Sequence, residues 1–235
     1  MATDQAPRKD SSGSKQHHRL DAVPSPAVRR LSLYLRELEG FLKQNRQTTS
    51  SKELGEALGY TDSQVRKDLA YFGQFGQPGI GYRVAELVAR IRGVIGTDRS
   101  WNTIVVGVGN LGQALLTYRG FAKKGFRVVA VFDNDPAKIG QPIGAMPGME
   151  ILPVDRLAEM VAEQNVRIGV ITVPAEAAQP VADALVAAGI KGILNFAPAA
   201  LTVPEGVSLA SVELSGYLEQ LAFYIHARQL ADDPQ

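Results

Sequence analysis

Residues 101–112 read WNTIVVGVGNLG, an apolar run that passes directly into G-x-G-x-x-G. This register predicts a strand, a tight turn and a helix. Gly107 permits the turn, Gly109 lets the backbone approach a pyrophosphate, and Gly112 lets the helix lie close to the sheet. With Val108, Asn110 and Leu111 they place N–H groups at a helix N-terminus, where the helix dipole favours phosphate. A dinucleotide is the ligand this turn accepts.

The chain beyond the turn keeps the same grammar. Apolar strands are expected at 103–106, 127–132, 168–173 and 192–194, with a weaker one at 208–212. Helices fall between them, most clearly at 111–121, 157–164 and 177–188. Continuous apolar strands joined by helices predict a doubly wound parallel sheet covered on both faces, a Rossmann-type α/β domain. The second strand runs into FDND at 132–135, and Asp133 lies 21 residues beyond Gly112. An acid there hydrogen-bonds the adenosine ribose. With Asn134 and Asp135 beside it and no Arg at the strand end, NAD(H) is favoured over NADP(H). The loops ITVPAEAA (171–178) and ILNFAPAAL (193–201) follow later strands, at the sheet edge where such folds bind ligands. Thr172, Val173, Pro174, Asn195, Phe196 and Ala197 are therefore expected to line the nicotinamide half.

About a hundred residues precede the turn, and they read differently. The first 100 residues carry 16 Lys and Arg against 11 Asp and Glu, and the remainder 9 against 13, so a net charge of +1 hides a basic front and an acidic back. Residues 1–24 lack apolar periodicity and are expected to form a disordered arm. Helical order should begin at Ser25-Pro26, with Val28, Leu31, Leu35, Leu38 and Leu42 on one face. A capping box at Ser50–Glu53 opens a second helix burying Leu54, Ala57 and Leu58, and Gly59 ends it. A second box at Thr61–Gln64 opens a third helix, expected to run to about Phe72. The glycine-rich stretch 73–83 reads as a small hairpin with Pro78-Gly79 in a type II turn. Val84, Leu87, Val88 and Ile91 mark a connecting helix leading to Gly96. The pattern is a winged helix-turn-helix over 25–96, with the helix-turn-helix at about 33–72 and the wing at 73–83. The nucleotide domain then spans 97–213, and a terminal helix and tail span 214–235, with Leu214, Leu218, Leu221 and Ile225 forming an amphipathic stripe.

The third helix lies in TDSQVRKDLAYFG (61–73). Val65, Leu69 and Phe72 share its inner face. Gln64, Lys67 and Tyr71 share another, with Ser63 and Arg66 beside them. On the second helix of a helix-turn-helix, such a face offers base contacts from its N-terminal residues and phosphate contacts from Arg and Lys. Double-stranded DNA is the partner it predicts.

Catalysis has little to work with. The histidines are His17, His18 and His226, and no Ser/His/Asp order, HExxH or metal-ligand spacing occurs. The nucleotide is read as a signal, and no metal is expected. With no cysteine, no apolar signal core and no apolar run long enough to span a bilayer, the expectation is a cytoplasmic protein without membrane partners.

QVRKDLAYFGQFG (64–76), GVGNLG, ITVPAEAAQ and ILNFAPAAL, in this order, resemble the Rex family of redox-sensing transcriptional repressors. The resemblance covers roughly 27–229. It implies a homodimer that binds a pseudopalindromic operator when NADH is scarce and leaves it when NADH binds, with NADH and NAD+ as regulatory ligands. It also implies that the terminal helix, 214–228 here, is exchanged between subunits, placing Tyr118, Glu213 and Leu214 at coupling or dimer contacts. The chain departs from the family pattern in two places. Gln77-Pro78 stands where the wing often carries a basic tip, and Leu214 follows Glu213 where some relatives have an aromatic residue. The alternative reading of the same turn is an NAD- or coenzyme A-binding enzyme domain with a helical docking module.

Overall fold

The structure, a computed structural model, describes residues 23–73, 75–76 and 81–232. Nearly all of the expected arm at 1–24, the expected Pro78-Gly79 turn and the end of the tail lie outside the described residues. The chain divides between Arg99 and Ser100 into two compact units.

In the first unit, α1 (Ser25–Lys43) leads through the short strand β1 (Thr48–Thr49) to α2 (Ser51–Leu58) and α3 (Asp62–Ala70). Strand β2 (Tyr82–Arg83) and α4 (Val84–Ile95) follow. The helix starts follow from local chemistry. Ser50 forms the full reciprocal capping box with Glu53, satisfying donors that a helix N-terminus leaves open. At Thr61 only half of the second expected box forms. The Thr61 hydroxyl accepts from the Gln64 N–H, but the Gln64 side chain turns forward to Asp68. Strand β2, at the end of the expected wing, pairs antiparallel with β1, Thr48 opposite Arg83 and Thr49 opposite Tyr82.

The core of this unit joins Leu31, Tyr34, Leu35 and Leu38 of α1 to Leu54, Val65, Leu69, Leu87 and Ile91. The buried stripe of α1 is rotated from the expected one. Ala27 and Phe41 are inside, while Val28 and Leu42 are exposed. Ala57 is likewise exposed.

The second unit is a six-stranded sheet in the order β5-β4-β3-β6-β7-β8, with every pairing parallel. Its strands are β3 (Trp101–Val106), β4 (Phe126–Asp133), β5 (Ile151–Pro153), β6 (Ile168–Ile171), β7 (Gly192–Asn195) and β8 (Ser208–Ser211). Intervening helices are α5 (Asn110–Thr117), α6 (Gly120–Lys123), α7 (Leu157–Glu163) and α8 (Ala175–Ala187). Alternate residues of one strand enter different cores. Ile104 and Val106 pack with α7 and α8, whereas Val105 packs with Val131, Val170 and Leu116. That double burial explains why the strands read as unbroken apolar runs. The chain leaves β3 toward β4 and later returns on its other side as β6. Between them lies the reversal of strand order at which doubly wound sheets bind ligands.

Helix α9 (Leu214–Asp232) ends the described chain. The expected single apolar stripe is not what the helix carries. Leu214, Leu218, Leu221 and Ile225 do line up, but Phe223 and Leu230 fall on the opposite side at a 100° step. All six are more than half exposed in the single chain. Among the described residues, no helix is long and apolar enough to cross a membrane.

Candidate nucleotide cleft and nucleic-acid interface

The turn after β3 owes its shape to two glycines. Gly107 has φ +101°, and a Cβ there would sit 2.8 Å from the Thr172 carbonyl. At Gly112, in the first turn of α5, a Cβ would run into the carbonyl oxygen of Gly107. The Thr172 hydroxyl completes the arrangement by donating to the carbonyl oxygens of Gly107 at 2.6 Å and Val106 at 3.1 Å. Gly109 is the N-cap of α5 and supplies no side-chain cap. The first-turn N–H groups are therefore left for a ligand or water.

Asp133 closes the other side of the turn. It is 6% exposed. Its Oδ2 accepts from the Val108 N–H at 2.7 Å and from Lys138 Nζ at 3.0 Å, and Oδ1 accepts from the Asp135 N–H at 3.0 Å. Burial pushes this carboxyl up, but the two N–H groups and the Lys138 ammonium outweigh it and hold it below the usual carboxylate range. Lys138 escaped the sequence reading. It follows in a short turn that Asp135 organises, with Asp135 Oδ1 accepting the Ala137 N–H at 2.9 Å. Lys138 offsets part of the negative charge on which the expected preference for NAD(H) over NADP(H) rests, and Asp133, Asp135 and Lys138 together still carry −1.

These groups open onto a cleft of about 720 Å³, within the range of small-molecule sites. Of the residues singled out in the sequence, Gly107, Gly109, Asp133, Asn134, Thr172, Val173 and Pro174 line it, and Lys138, Val154, Glu176 and Val181 join them. Val108 is buried against the sheet and Gly112 packs on the turn, while Asn110 and Leu111 are exposed at the helix start. The loop after β7 does not line the cleft. Asn195 is wholly buried, its amide nitrogen donating to the Ala197 and Ala199 carbonyls and its oxygen accepting from the Ala197 N–H. It fixes the loop's course. Phe196 packs on the core beside Leu194, and Ala197 is buried. Gln179 of α8 holds the same loop further along, exchanging two hydrogen bonds with the Thr202 backbone.

In the first unit, α3 turns Val65, Asp68 and Leu69 inward and leaves Ser63, Arg66 and Lys67 exposed. Arg66 rests on Asp62 at 2.6 Å and on the Ser51 hydroxyl at 3.2 Å. An exposed pair of this kind contributes about 0–1 kcal/mol, so a phosphate competes with it readily. Tyr71, just past the helix, is half-buried with its ring against Phe72. Gln64 is half-buried and bound to Asp68. Asp68 and its partner Arg30 were not legible as a pair, being 38 residues apart in sequence.

Tyr118 is 60% exposed, its ring standing edge-on to Phe121 at 5.2 Å over Gly120. Glu213 and Leu214 are exposed at the start of α9. Among the described residues no group of His, Cys, Asp and Glu has the makings of a metal site.

The redox-sensing transcriptional repressor Rex of Carboxydothermus hydrogenoformans is 51% identical over 203 residues, 86% of this chain and 96% of the relative. The chain belongs to the Rex family. Family models match in the same two places, one described as a putative DNA-binding protein N-terminus over residues 22–70 and one as a CoA binding domain over residues 98–199. Among solved structures, RSP in complex with beta-NAD+ and operator DNA is 40% identical, with a TM-score of 0.83 over 89% of this chain and 95% of that one. RSP in complex with beta-NADH is 38% identical, with a TM-score of 0.80 over 90% and 98%. The Rex fold therefore spans both units of this chain.

Proposed function

We propose that this chain is a repressor that binds operator DNA as a homodimer and releases it when NADH occupies the cleft between β3, β4 and β6. One observation carries the reading: RSP, similar over both units, was solved with beta-NAD+ and operator DNA and also with beta-NADH. The DNA-binding domain is 25–96, the nucleotide domain 97–213, and α9 with the tail the dimer element. Ser63, Gln64, Arg66, Lys67 and Tyr71 face the DNA. Tyr118, Glu213 and Leu214 belong to the coupling and dimer contacts. A repressor works where the chromosome is, in the cytoplasm.

NADH and NAD+ share every contact at the adenine and pyrophosphate end, so the glycine turn and Asp133 cannot tell them apart. The nicotinamide is cationic in NAD+ and neutral in NADH. Val173 and Pro174 surround that ring with apolar surface, which disfavours the cation unless a charge compensates. Linkage then requires the form that releases DNA to bind the DNA-free protein more tightly. The cleft has no catalytic duty in this reading. Operator binding that falls with added NADH, without NADH being consumed, supports it; steady NADH turnover with a small carbonyl compound contradicts it.

The match to a CoA binding domain favours coenzyme A as the second reading. Coenzyme A carries a 3′-phosphate on its ribose, which would approach the Asp133 carboxylate. Coenzyme A that fails to displace NADH in competition removes it.

A further inference from the structure

Asp68 lies in the middle of α3 with none of its surface exposed. Its oxygens accept four hydrogen bonds, two apiece. Oδ2 receives Arg30 Nε at 2.6 Å and the Tyr34 hydroxyl at 2.8 Å. Oδ1 receives Arg30 Nη2 at 2.7 Å and Gln64 Nε2 at 2.8 Å. A carboxylate offers about four acceptor positions, so this one is saturated. Arg30 and Tyr34 both come from α1, and the two-pronged guanidinium contact fixes the plane of the carboxylate. Tyr34 stands edge-on to Tyr60 at 6.1 Å, with the Arg30 guanidinium 5.9 Å from the same ring. The anchor has no freedom to swing.

One consequence falls on Gln64. A carboxylate accepts and cannot donate, so the Gln64 amide must show it nitrogen. The reversed amide would set Oε1 against Asp68 and lose the bond. Oε1 therefore faces away from the helix-packing side, accompanied by the second amide hydrogen. Gln64 sits in the first turn of α3, where recognition helices meet base edges.

We propose that Asp68 is a positioning residue for base reading: it holds the Gln64 amide with Oε1 outward and so tunes the chain to a base that presents an exocyclic amine in the major groove. Adenine fits best, because its N6 donates to Oε1 while its N7 accepts the second amide hydrogen. Guanine presents O6 and N7, both acceptors, and meets Oε1 with repulsion. The assignment rests on the repressor reading and adds to it the polarity of one base contact.

The test begins with the operator that the full-length wild-type chain selects from a random-sequence duplex pool. Each adenine of a half-site is then replaced in turn by purine, which lacks the amine, and by guanine. Wild type is expected to lose about tenfold in affinity at one position per half-site, the size of one good base contact. In Gln64→Ala that position should cease to matter. In Asp68→Asn the penalty for guanine there should shrink while NADH affinity stays unchanged. Should Asp68→Asn not fold, the wild-type Gln64 side-chain amide supplies the second readout by NMR: slowed exchange of one of its protons supports the anchor, and averaged, unprotected protons overturn it. A wild-type chain that selects no sequence contradicts the repressor reading itself. Selection of a site whose adenine profile is the same in wild type and Gln64→Ala overturns only the role of Asp68 and Gln64.

Discussion

Asp68 and Asp133 are both withdrawn from solvent and both held below the usual carboxylate range, yet they are finished differently. Burial pushes each of them up, and their hydrogen-bond donors outweigh it. Around Asp68 those donors are the side chains of Arg30, Tyr34 and Gln64, and every acceptor position is filled. Around Asp133 two donors are backbone N–H groups and the third, Lys138, is 36% exposed and able to yield its place. A saturated carboxylate fixes one helix against another. A carboxylate with one exchangeable partner leaves an acceptor position for the ribose hydroxyl proposed to bind Asp133. Burial alone does not separate a structural acid from a binding one; the nature of the last donor does.

Removing the saturated acid should produce the largest effect. Asp68→Ala leaves the Arg30 guanidinium without its partner at a largely buried position, which costs about 3 kcal/mol. Urea unfolding of the variant should show that loss as a lower midpoint. An unchanged midpoint would mean that α1 and α3 are held by their apolar contacts alone.

Gly107→Ala tests the other unit at a backbone position. The left-handed φ alone costs about 1–3 kcal/mol, and the added methyl meets the Thr172 carbonyl. NADH binding by calorimetry should be lost while operator DNA is still bound. Retained NADH affinity would show that the turn adjusts.

Acid should expose both carboxyls together. Because their folded values lie below the unfolded value of about 3.9, the stability they contribute is fully present above that pH. It is lost as pH falls through the folded values. Wild type should therefore lose stability below about pH 4, and Asp68→Asn should lose less over the same range. Parallel acid limbs for the two proteins would contradict the Asp68 assignment.

Much of this was legible beforehand, and the physical reasons are specific. The turn could be read because glycines at 107, 109 and 112 answer to backbone geometry, which sequence spacing records directly. The two-sided burial of β3 showed as an apolar run for the same reason. Strand β5 was missed, since three residues ending in proline carry no periodicity. The Arg30–Asp68 and Asp133–Lys138 pairs were missed because pairing depends on side-chain direction. Asn195 stood in the expected loop, but nothing in its identity disclosed that its amide serves its own backbone. In α9 the apolar stripe was visible, and the same 100° step places Phe223 and Leu230 on the opposite side.

A smaller effect is expected from Lys138→Ala, a partly exposed cation. NADH affinity should change by less than about fivefold, and NADPH should bind more weakly still, because the local charge moves from −1 to −2. Strengthened NADPH binding would mean that Lys138 does not face the ribose. Smallest of all is Lys67→Ala, which should lower operator affinity and reduce the slope of log affinity against log salt by about one phosphate contact, with sequence preference unchanged. An unchanged slope would remove Lys67 from the phosphate contacts.

The central claim is that the redox state of one nucleotide decides DNA occupancy. Its most direct test is calorimetry of the DNA-free protein with NADH and NAD+ separately, joined to operator titrations in the presence of each. The account predicts tighter binding of NADH than of NAD+ and a loss of operator affinity with NADH that does not exceed the ratio linkage permits. Equal affinities for the two nucleotides, or operator binding indifferent to NADH, would contradict it.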